Sequence, residues 1–351
     1  MSNKGLARRT KAEITFAGVN ITKDIQPYLL SLTYTDNEDG EADDLQLTLQ
    51  DRDGLWLESW LAEAVEKAAS GQLKIGAALL AENWQSNGQD KLLDCGTFEL
   101  DSVTAQSPPA VVTIKATALP FSAEIRQTLH TRAWENYTLS GIAQELAIKA
   151  GLQCMYDAAA DPFYNRAEQV QESDIAFLQR LCRKAGLSLK ATGIMLVLFE
   201  QQAYEQKPGV FTLKRGAGAY TKYKLNSGSA GTQYGSCRVS YVDPATGKCI
   251  EGIFKAADKS GSSQQLEISA KCANAAEAVQ LAKKYLRRHN KFARTASFDL
   301  PGNVELAAGL NVELANFGGW SGKYIISQAR HSLSGSGYTT QIDLRRVLEG
   351  Y

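Results

Sequence analysis

The stretch Asp44-Leu45-Gln46-Leu47-Thr48-Leu49-Gln50 alternates polar and apolar side chains without a break. A period of two is typical of a β-strand with one face buried and the other exposed. The same alternation occurs upstream around Ile14 and Phe16, and downstream in residues 97–103 and 111–116. The N-terminal part of the chain is therefore predicted to be a β unit that closes near residue 116.

One helix interrupts this β unit. Apolar residues between Leu57 and Ala68 recur at helical spacing, and Gly71 is well placed to end the helix in a left-handed conformation. The pattern predicts an amphipathic helix near residues 54–70, inserted into domain 1–116.

In residues 117–205 the apolar residues are spaced differently. Two amphipathic helices each run into Ala-Gly-Leu, at 150–152 and 185–187, and the apolar stretch 194–199 follows the second. Ser173 is a suitable N-cap for that second helix. The segment is predicted to be a small α/β domain.

β patterns return in residues 206–351, with glycine-rich turns between them. Asn274 and Glu277 resemble a capping box and start one further amphipathic helix. The region is predicted to be a second β domain with a helical insertion near 256–292.

The acidic stretch 36–44 is the first candidate for a metal site. A calcium loop requires Asp or Asn at alternate positions, then Gly, and Glu at position twelve. Starting from Asp36, the sequence fails at most of these positions. We therefore interpret the stretch as a solvated turn and predict no metal.

The overall composition argues against several classes of function. Basic and acidic residues both number 38, so no net positive charge favours nucleic-acid or membrane binding. The longest apolar runs are too short to span a bilayer, and no secretory signal is expected. The six cysteines are widely spaced, which favours reduced thiols, no disulfide framework and a protein made in a cytoplasm.

The usual catalytic patterns are missing from the sequence. His130, His289 and His331 could act as bases, but no nucleophile motif lies beside any of them. The glycine-rich turns do not match phosphate or dinucleotide motifs. The sequence predicts no catalytic residue and no cofactor, although a pair of acids for glycoside hydrolysis can never be excluded by spacing.

Two features are candidate contacts with other proteins. Arg287 and Arg288 belong to a basic cluster at a helix C-terminus, where cations also complement the helix dipole without any ligand. Trp320, in the turn Gly318-Gly319-Trp320-Ser321-Gly322, is expected to be either an exposed contact or a buried anchor of the turn.

Several segments, in order along nearly the whole chain, resemble the phage late control gene D family, the baseplate hub proteins of contractile tails. The resemblance depends on residues 24–25, 28–29, 31–37, 42–45, 50–51, 55–56, 95–101, 133–135, 139–140, 171–174, 177–181, 185–187, 300–303, 308–309, 322–324, His331, 336–340 and 344–347. Each motif alone is weak, but their order is specific. No lytic module is visible beyond Tyr351, which argues against a muralytic role.

The resemblance implies a β-rich α+β fold in which two tail-tube-like β-barrel domains are joined by smaller α/β domains. It implies a homotrimer whose six barrels adapt a trimeric spike to a hexameric tail tube. The expected partners are the spike and tube proteins, with tape-measure and wedge proteins as further candidates, and no membrane or specific nucleic acid. The expected location is the virion tail baseplate, assembled in the host cytoplasm.

Two alternatives remain open. A tail-associated peptidoglycan hydrolase would use two acids, and a receptor-binding tail protein would expose aromatic clusters. Against the latter, Trp56, Trp60 and Trp134 lie on or near predicted helices, where core packing is expected.

Overall fold

The computed structural model describes residues 7–56, 73–84, 86–118, 124–228, 233–244, 246–257 and 262–351. Its elements are mainly strands with a few short helices, so the predicted β-rich α+β class is confirmed. Within these residues no helix combines the length and the apolar character needed to cross a membrane.

The N-terminal half is an antiparallel sheet in the order β3-β4-β7-β6-β5-β1-β2. Its elements are β1 (Arg9–Phe16), β2 (Val19–Asn20), α1 (Thr22–Ile25), β3 (Leu29–Asn37), β4 (Asp44–Gln50), β5 (Lys74–Glu82), β6 (Lys91–Gln106) and β7 (Val111–Thr117).

The alternation in β4 buries Leu45, Leu47 and Leu49 almost completely, as predicted. Strands from both ends of this half-sheet, β1 and β3, contribute to the same core, so the sheet curves around it. The helix predicted near 54–70 falls mostly on residues 57–72, which lie outside the described residues.

The middle segment contains two small sheets and the two predicted helices. Its elements are α2 (Glu124–Gln127), β8 (Leu129–Thr138), α3 (Leu139–Lys149), β9 (Gln153–Asp157), β10 (Phe163–Ser173), α4 (Asp174–Ala185), β11 (Ser188–Ala191), β12 (Met195–Phe199) and α5 (Gln201–Glu205). Strands β8 and β10 pair with each other, and β11-β12-β9 form the second sheet. One hydrophobic core lies beneath α3 and α4.

Capping explains where α4 begins and ends. The Ser173 hydroxyl accepts a hydrogen bond from the Ala176 N–H, which satisfies one otherwise free donor of the first turn. Gly186 ends the helix at φ +70, in the left-handed region that a residue without a Cβ adopts easily. Both signals were predicted from the sequence and are confirmed.

The C-terminal half builds a second β unit, into which a smaller unit is inserted. Its elements are β13 (Phe211–Lys214), β14 (Lys222–Ser227), β15 (Tyr234–Val242), β16 (Cys249–Lys255), β17 (Ser262–Ser269), α6 (Ala275–Asn290), β18 (Arg294–Pro301), β19 (Asn311–Ala315), a 3₁₀ turn (Gly318–Trp320), β20 (Gly322–Ser334) and β21 (Gly337–Arg346). The insertion is larger than a helix, because β16-β15-β17 form a sheet of their own against α6.

Close packing between β16 and α6 depends on Gly252. A Cβ at this position would lie 2.4 Å from the backbone nitrogen of Val279, a distance that side chains do not tolerate. The helix therefore rests directly on the backbone of the strand.

A single pairing joins the two β units. Strand β3 runs antiparallel to β20 with Ser31 opposite Ser334 and Asn37 opposite Gln328. Within the described residues this makes one thirteen-stranded sheet whose main path ends at β14 and at β1–β2, with β19 and β13 as a side branch from β20. Those ends do not pair with each other, so the sheet is open.

Candidate functional site

The acidic turn, residues 36–44 at the junction of β3 and β4, has three buried carboxylates, so the fully solvated turn expected from the sequence is wrong. Glu41 and Asp44 are exposed. Asp36, Glu38 and Asp43 expose only 6%, 4% and 5% of their surface. Charges removed from water in this way need partners of opposite charge. Here the partners are basic side chains that lie far away in sequence.

Arg345 in β21 supplies the first of these partners, and its side chain is completely buried. It binds Glu38 through two hydrogen bonds, from Nε to Oε2 at 2.9 Å and from Nη2 to Oε1 at 2.6 Å. Its Nη1 donates to Oε1 of Glu205, at the end of α5, at 2.5 Å. Burial acts to lower the pKa of Arg345, but the two carboxylates outweigh it and raise the pKa.

Arg287 in α6 completes this group. Its Nη2 lies 2.5 Å from Oε1 of Glu205, and its side chain is 12% exposed. We call Glu38, Glu205, Arg287 and Arg345 the Arg345 cluster. Two carboxylates and two guanidinium groups balance in charge, which is the condition under which ions persist in a protein interior.

Lys190 in β11 neutralises the other side of the acidic turn. Its Nζ contacts the Asp36 carboxylate, donates to the Asn37 carbonyl at 2.8 Å, and lies 3.4 Å from Oδ2 of Asp43. Asp36 also accepts a hydrogen bond from the Ala308 N–H at 2.8 Å. The turn is thereby bound to both the middle segment and the C-terminal half.

The pKa values around Lys190 follow from burial and charge. Burial raises the pKa of Asp43 to about 6, although the nearby ammonium group of Lys190 opposes the shift. Burial acts to lower the pKa of Lys190, but Asp36 and Asp43 more than compensate and the net shift is upwards.

The acidic turn is not arranged to hold a cation. In the described part of the chain no group of three or more His, Cys, Asp or Glu side chains could hold a metal ion. Ammonium and guanidinium groups already occupy the positions around these carboxylates that a cation would take.

The two arginines singled out in the sequence have different surroundings. Arg287 is directed into the Arg345 cluster, whereas Arg288 is exposed beside a cavity. Partial burial and the positive charge of Arg183 lower the pKa of Arg288. Contact of either residue with another protein stays a prediction.

Trp320 is half-buried, between the two alternatives left open by the sequence. It lies in the 3₁₀ turn and packs against the core of the C-terminal half. Its indole N–H is buried without an acceptor in the described part of the chain. The residue anchors the turn, and a role in contact with another subunit stays a prediction.

Trp134 and Trp56 pack in hydrophobic cores, as expected. Trp134 stacks on Phe177 with ring centroids 5.9 Å apart and is 1% exposed. Trp56 is also buried, against Tyr28. Trp60 lies outside the described residues.

Each of the three histidines makes packing or polar contacts with neighbouring residues. His331 is fully buried, and its ring nitrogens lie 2.7 Å from the Tyr338 hydroxyl and 2.9 Å from the Leu306 carbonyl. His130 lies 3.1 Å from Asp174, and His289 packs against Tyr234. In His331, Nε2 therefore donates to the carbonyl and Nδ1 accepts from the hydroxyl, which is the neutral form of the ring.

A cavity of about 290 Å³ lies where the acidic turn, α4, α5 and α6 meet. Basic residues of α6 form one wall, and Gln179, Cys182 and Arg183 of α4 form another. Sequence reasoning noted the basic cluster of α6 but could not place it against α4, about 100 residues away. No local sequence signal indicates that contact.

Residues 105–337, about two thirds of the chain, match the model of a family described as phage tail baseplate hub. The chain belongs to this family. The description of the family names a tail component and no reaction. This result agrees with the resemblance found in the sequence.

Two curated proteins are similar to this hub-family chain. The probable baseplate hub protein of Escherichia phage 186 is 30% identical over 190 residues, which are 52% of this chain and 44% of the relative. That of Escherichia phage P2 is 33% identical over 172 residues, 48% of this chain and 39% of the relative. The matches thus span less than half the length of these relatives.

Solved structures share the fold. A tail protein from Neisseria meningitidis MC58 is 14% identical, with a TM-score of 0.67 over 96% of this chain and 97% of that one. An E. coli component of the type VI secretion system has a TM-score of 0.53 and 12% identity, over 99% of this chain and 77% of that one. Its description notes structural similarity to bacteriophage T4 tail proteins gp27 and gp5.

Removing the guanidinium group at the centre of the Arg345 cluster is expected to destabilise the protein strongly. Arg345→Met leaves Glu38 buried without its partner, and breaking a buried pair in this way costs about 3–5 kcal/mol of unfolding free energy. The measurement is denaturant-induced unfolding followed by circular dichroism.

Two control variants test whether this loss of stability is specific to the Arg345 cluster. Arg166→Ala breaks a pair with Glu135 in which both side chains are about 60% exposed, and should cost about 0–1 kcal/mol. Adding Glu38→Gln to Arg345→Met should recover part of the loss, because Glu205 keeps Arg287. A loss below about 1 kcal/mol for Arg345→Met alone would contradict the central position of the cluster.

His331 is expected to make the protein sensitive to acid. Burial lowers its pKa from 6.5 to about 4, so between these values the unfolded chain binds a proton that the folded chain does not. The resulting stabilisation is present above pH 6.5 and is lost as the pH falls towards 4. From pH 7 to 4.5 the loss should be about 2 kcal/mol.

The variant His331→Gln tests this assignment, because glutamine offers a donor and an acceptor but does not titrate. Urea unfolding at pH 7 and at pH 4.5 gives the acid-induced loss of stability for each protein. The loss should be about 2 kcal/mol smaller in the variant than in the wild type. Equal losses in the two proteins would show that His331 is not responsible.

Proposed function

We propose that the protein is a structural baseplate hub of a contractile tail, in which three copies form a ring between a trimeric spike and a hexameric tube. The observation that carries the proposal is the pairing of β3 with β20, which places two β units side by side in one chain of the hub family. Three such chains present six β units, the number that a six-fold tube requires.

The two halves of the large sheet are proposed to be the tail-tube-like barrels, in domains 1–116 and 206–351, with an α/β domain at 117–205 between them. Separate hydrophobic cores support this division. One core collects side chains from β1 and β3–β7, and another from β13 and β18–β21. In each half, strands from opposite ends of the half-sheet share one core, so both halves curve as barrel walls do.

The ends of the sheet support closure into a ring. Within the described residues β14 pairs only with β18, and β1 is covered on its outer side only by the two residues of β2. Exposed backbone donors and acceptors at such edges favour pairing with another chain. A head-to-tail contact repeated through a three-fold rotation closes and leaves no free edge.

The proposed partners are the spike and tail-tube proteins, with tape-measure and wedge proteins as further candidates. The descriptions of the phage 186 and P2 relatives as baseplate hub proteins support this setting. The proposed location is the baseplate of a virion tail or of a phage-tail-like particle.

The role is proposed to be structural and not catalytic. In the acidic turn, Asp36, Glu38 and Asp43 are all engaged by Lys or Arg, and His331 is fixed in its neutral form by two hydrogen bonds. Groups held in this way cannot exchange protons with a substrate in the manner of a general acid or base.

Incubation with purified peptidoglycan should therefore release no soluble fragments above the background. The measurement is the turbidity of a cell-wall suspension together with chromatography of its supernatant, with a lytic enzyme as the positive control. Sustained release would favour the hydrolase alternative over the hub.

Mixing with the spike protein should produce a complex that contains three copies of this chain. Light scattering coupled to size-exclusion chromatography gives the stoichiometry, and electron microscopy should show a three-fold ring. A chain that stays monomeric with its spike present, and that fails to enter assembled tails, would contradict the proposal.

Trp320 is the candidate contact within this assembly. Trp320→Ala should reduce the yield of trimers, and Trp320→Phe, which keeps an aromatic ring in the turn, should restore most of it. Unfolding of the isolated monomer serves as the control. If Trp320→Ala changes monomer stability but not assembly, Trp320 is only an anchor of the turn.

A further inference from the structure

The cavity between the acidic turn, α4, α5 and α6 has an unbalanced charge. Its lining contains two carboxylates, Asp39 and Glu200, and six basic side chains: Arg183, Lys283, Lys284, Arg287, Arg288 and Lys291. This excess of positive charge is local, because basic and acidic residues are equal in number in the whole chain.

Only some of these basic groups are neutralised from within the chain. Arg287 pairs with Glu205 at 2.5 Å, and Lys291 lies 3.5 Å from Asp39. Across the described residues, no carboxylate lies within 4.0 Å of Arg183, Lys283 or Arg288. Three cationic groups on two facing helices are therefore left to solvent or to a ligand.

Arg183 repels Arg288, and burial makes the charged forms of two neighbouring lysines less favourable. The pKa of Arg288 is lowered by burial and by Arg183, and burial also lowers the pKa values of Lys284 and Lys291. A bound anion would relieve this repulsion, because opposite charge favours the charged forms of all these groups.

The size and chemistry of the cavity indicate which anion fits. A volume of about 290 Å³ accommodates one or two acidic side chains but not the repeating phosphates of a nucleic-acid strand. Gln179 and Gln280 provide amides that can pair with a peptide backbone, and Phe292 adds an apolar surface.

We propose that this cavity binds an acidic peptide segment of a partner protein, with Arg183 and Arg288 holding a carboxylate between α4 and α6. Guanidinium groups suit this role because their planar donors match a carboxylate in pairs. Lys283 adds charge at the same wall. The inference does not depend on the hub role, because it concerns the cavity between the acidic turn, α4, α5 and α6 and not the end strands of the sheet.

The test uses the full chain and a rhodamine-labelled, end-capped hexaglutamate peptide, followed by fluorescence anisotropy at low salt. Binding should weaken as salt rises, because exposed charges are screened. Hexaglutamine with the same label should not bind. Failure of hexaglutamate to bind, or equal binding of hexaglutamine, would overturn the proposal.

Matched variants locate the binding. Arg183→Gln with Arg288→Gln should weaken hexaglutamate binding by at least about tenfold. Lys248→Gln with Lys255→Gln removes the same charge from exposed positions outside the cavity and should change the affinity less than about twofold. Equal effects of the two double variants would show that only net charge matters and would overturn the site.

Further measurements test for misfolding of the variants and for binding of other ligands. Arg288→Lys keeps the positive charge but loses the paired donors, so it should bind hexaglutamate more weakly than the wild type and more tightly than Arg288→Gln, and thermal unfolding checks that each variant is folded. A fifteen-nucleotide single-stranded DNA that binds more tightly than hexaglutamate and is lost in the Arg183→Gln/Arg288→Gln variant would assign the site to nucleic acid. Displacement of the peptide by submillimolar inorganic phosphate at constant ionic strength would assign it to a small oxyanion, and either result overturns the proposal.

Discussion

The arrangement of the whole molecule depends on the buried guanidinium of Arg345. Moving an ion of this size out of water costs several kcal/mol, and the cost is offset only when its donors find partners in good geometry. Glu38 and Glu205 provide that geometry, and Arg287 balances the second carboxylate. The four residues come from the N-terminal β unit, the end of the middle segment, the insertion and the C-terminal half. Hydrophobic contacts stabilise each of these parts but are not directional. The hydrogen bonds of the cluster are directional and fix the orientations of the parts relative to one another.

Local signals in the sequence were reliable wherever the structure depends on near neighbours. The alternation of Leu45, Leu47 and Leu49 predicted which face of β4 is buried, because successive side chains of a strand point to opposite faces. Ser173 and Gly186 predicted the ends of α4, because caps act within one helical turn. The order of short family segments predicted the family to which the chain belongs.

Signals that depend on distant partners could not be predicted from the sequence. The acidic turn was expected to be solvated because its sequence does not match a calcium loop, yet Glu38 binds Arg345, which lies 307 positions away in the sequence. The cavity has the same origin, since its two walls come from α4 and α6. The separate sheet of the insertion was also missed, because β15 pairs in parallel with β17 and only the tertiary fold decides that pairing. The basic cluster of α6 could be explained by its position at the helix C-terminus, where cations complement the helix dipole. That explanation did not predict the different surroundings of Arg287 and Arg288.

The pairing of β3 with β20 has a consequence for the synthesis of the protein. A ribosome completes β3 early, but β20 is made almost 300 residues later, so the edge of β3 is unsatisfied for most of translation. Until then Glu38 also has no guanidinium partner, because Arg345 is made later still. Long-range pairing of this kind forms slowly. Until it forms, the unpaired edge of β3 can pair with other chains. A chain cut short before residue 322 can complete neither the sheet nor the charge cluster, so completed translation becomes a condition for a rigid subunit.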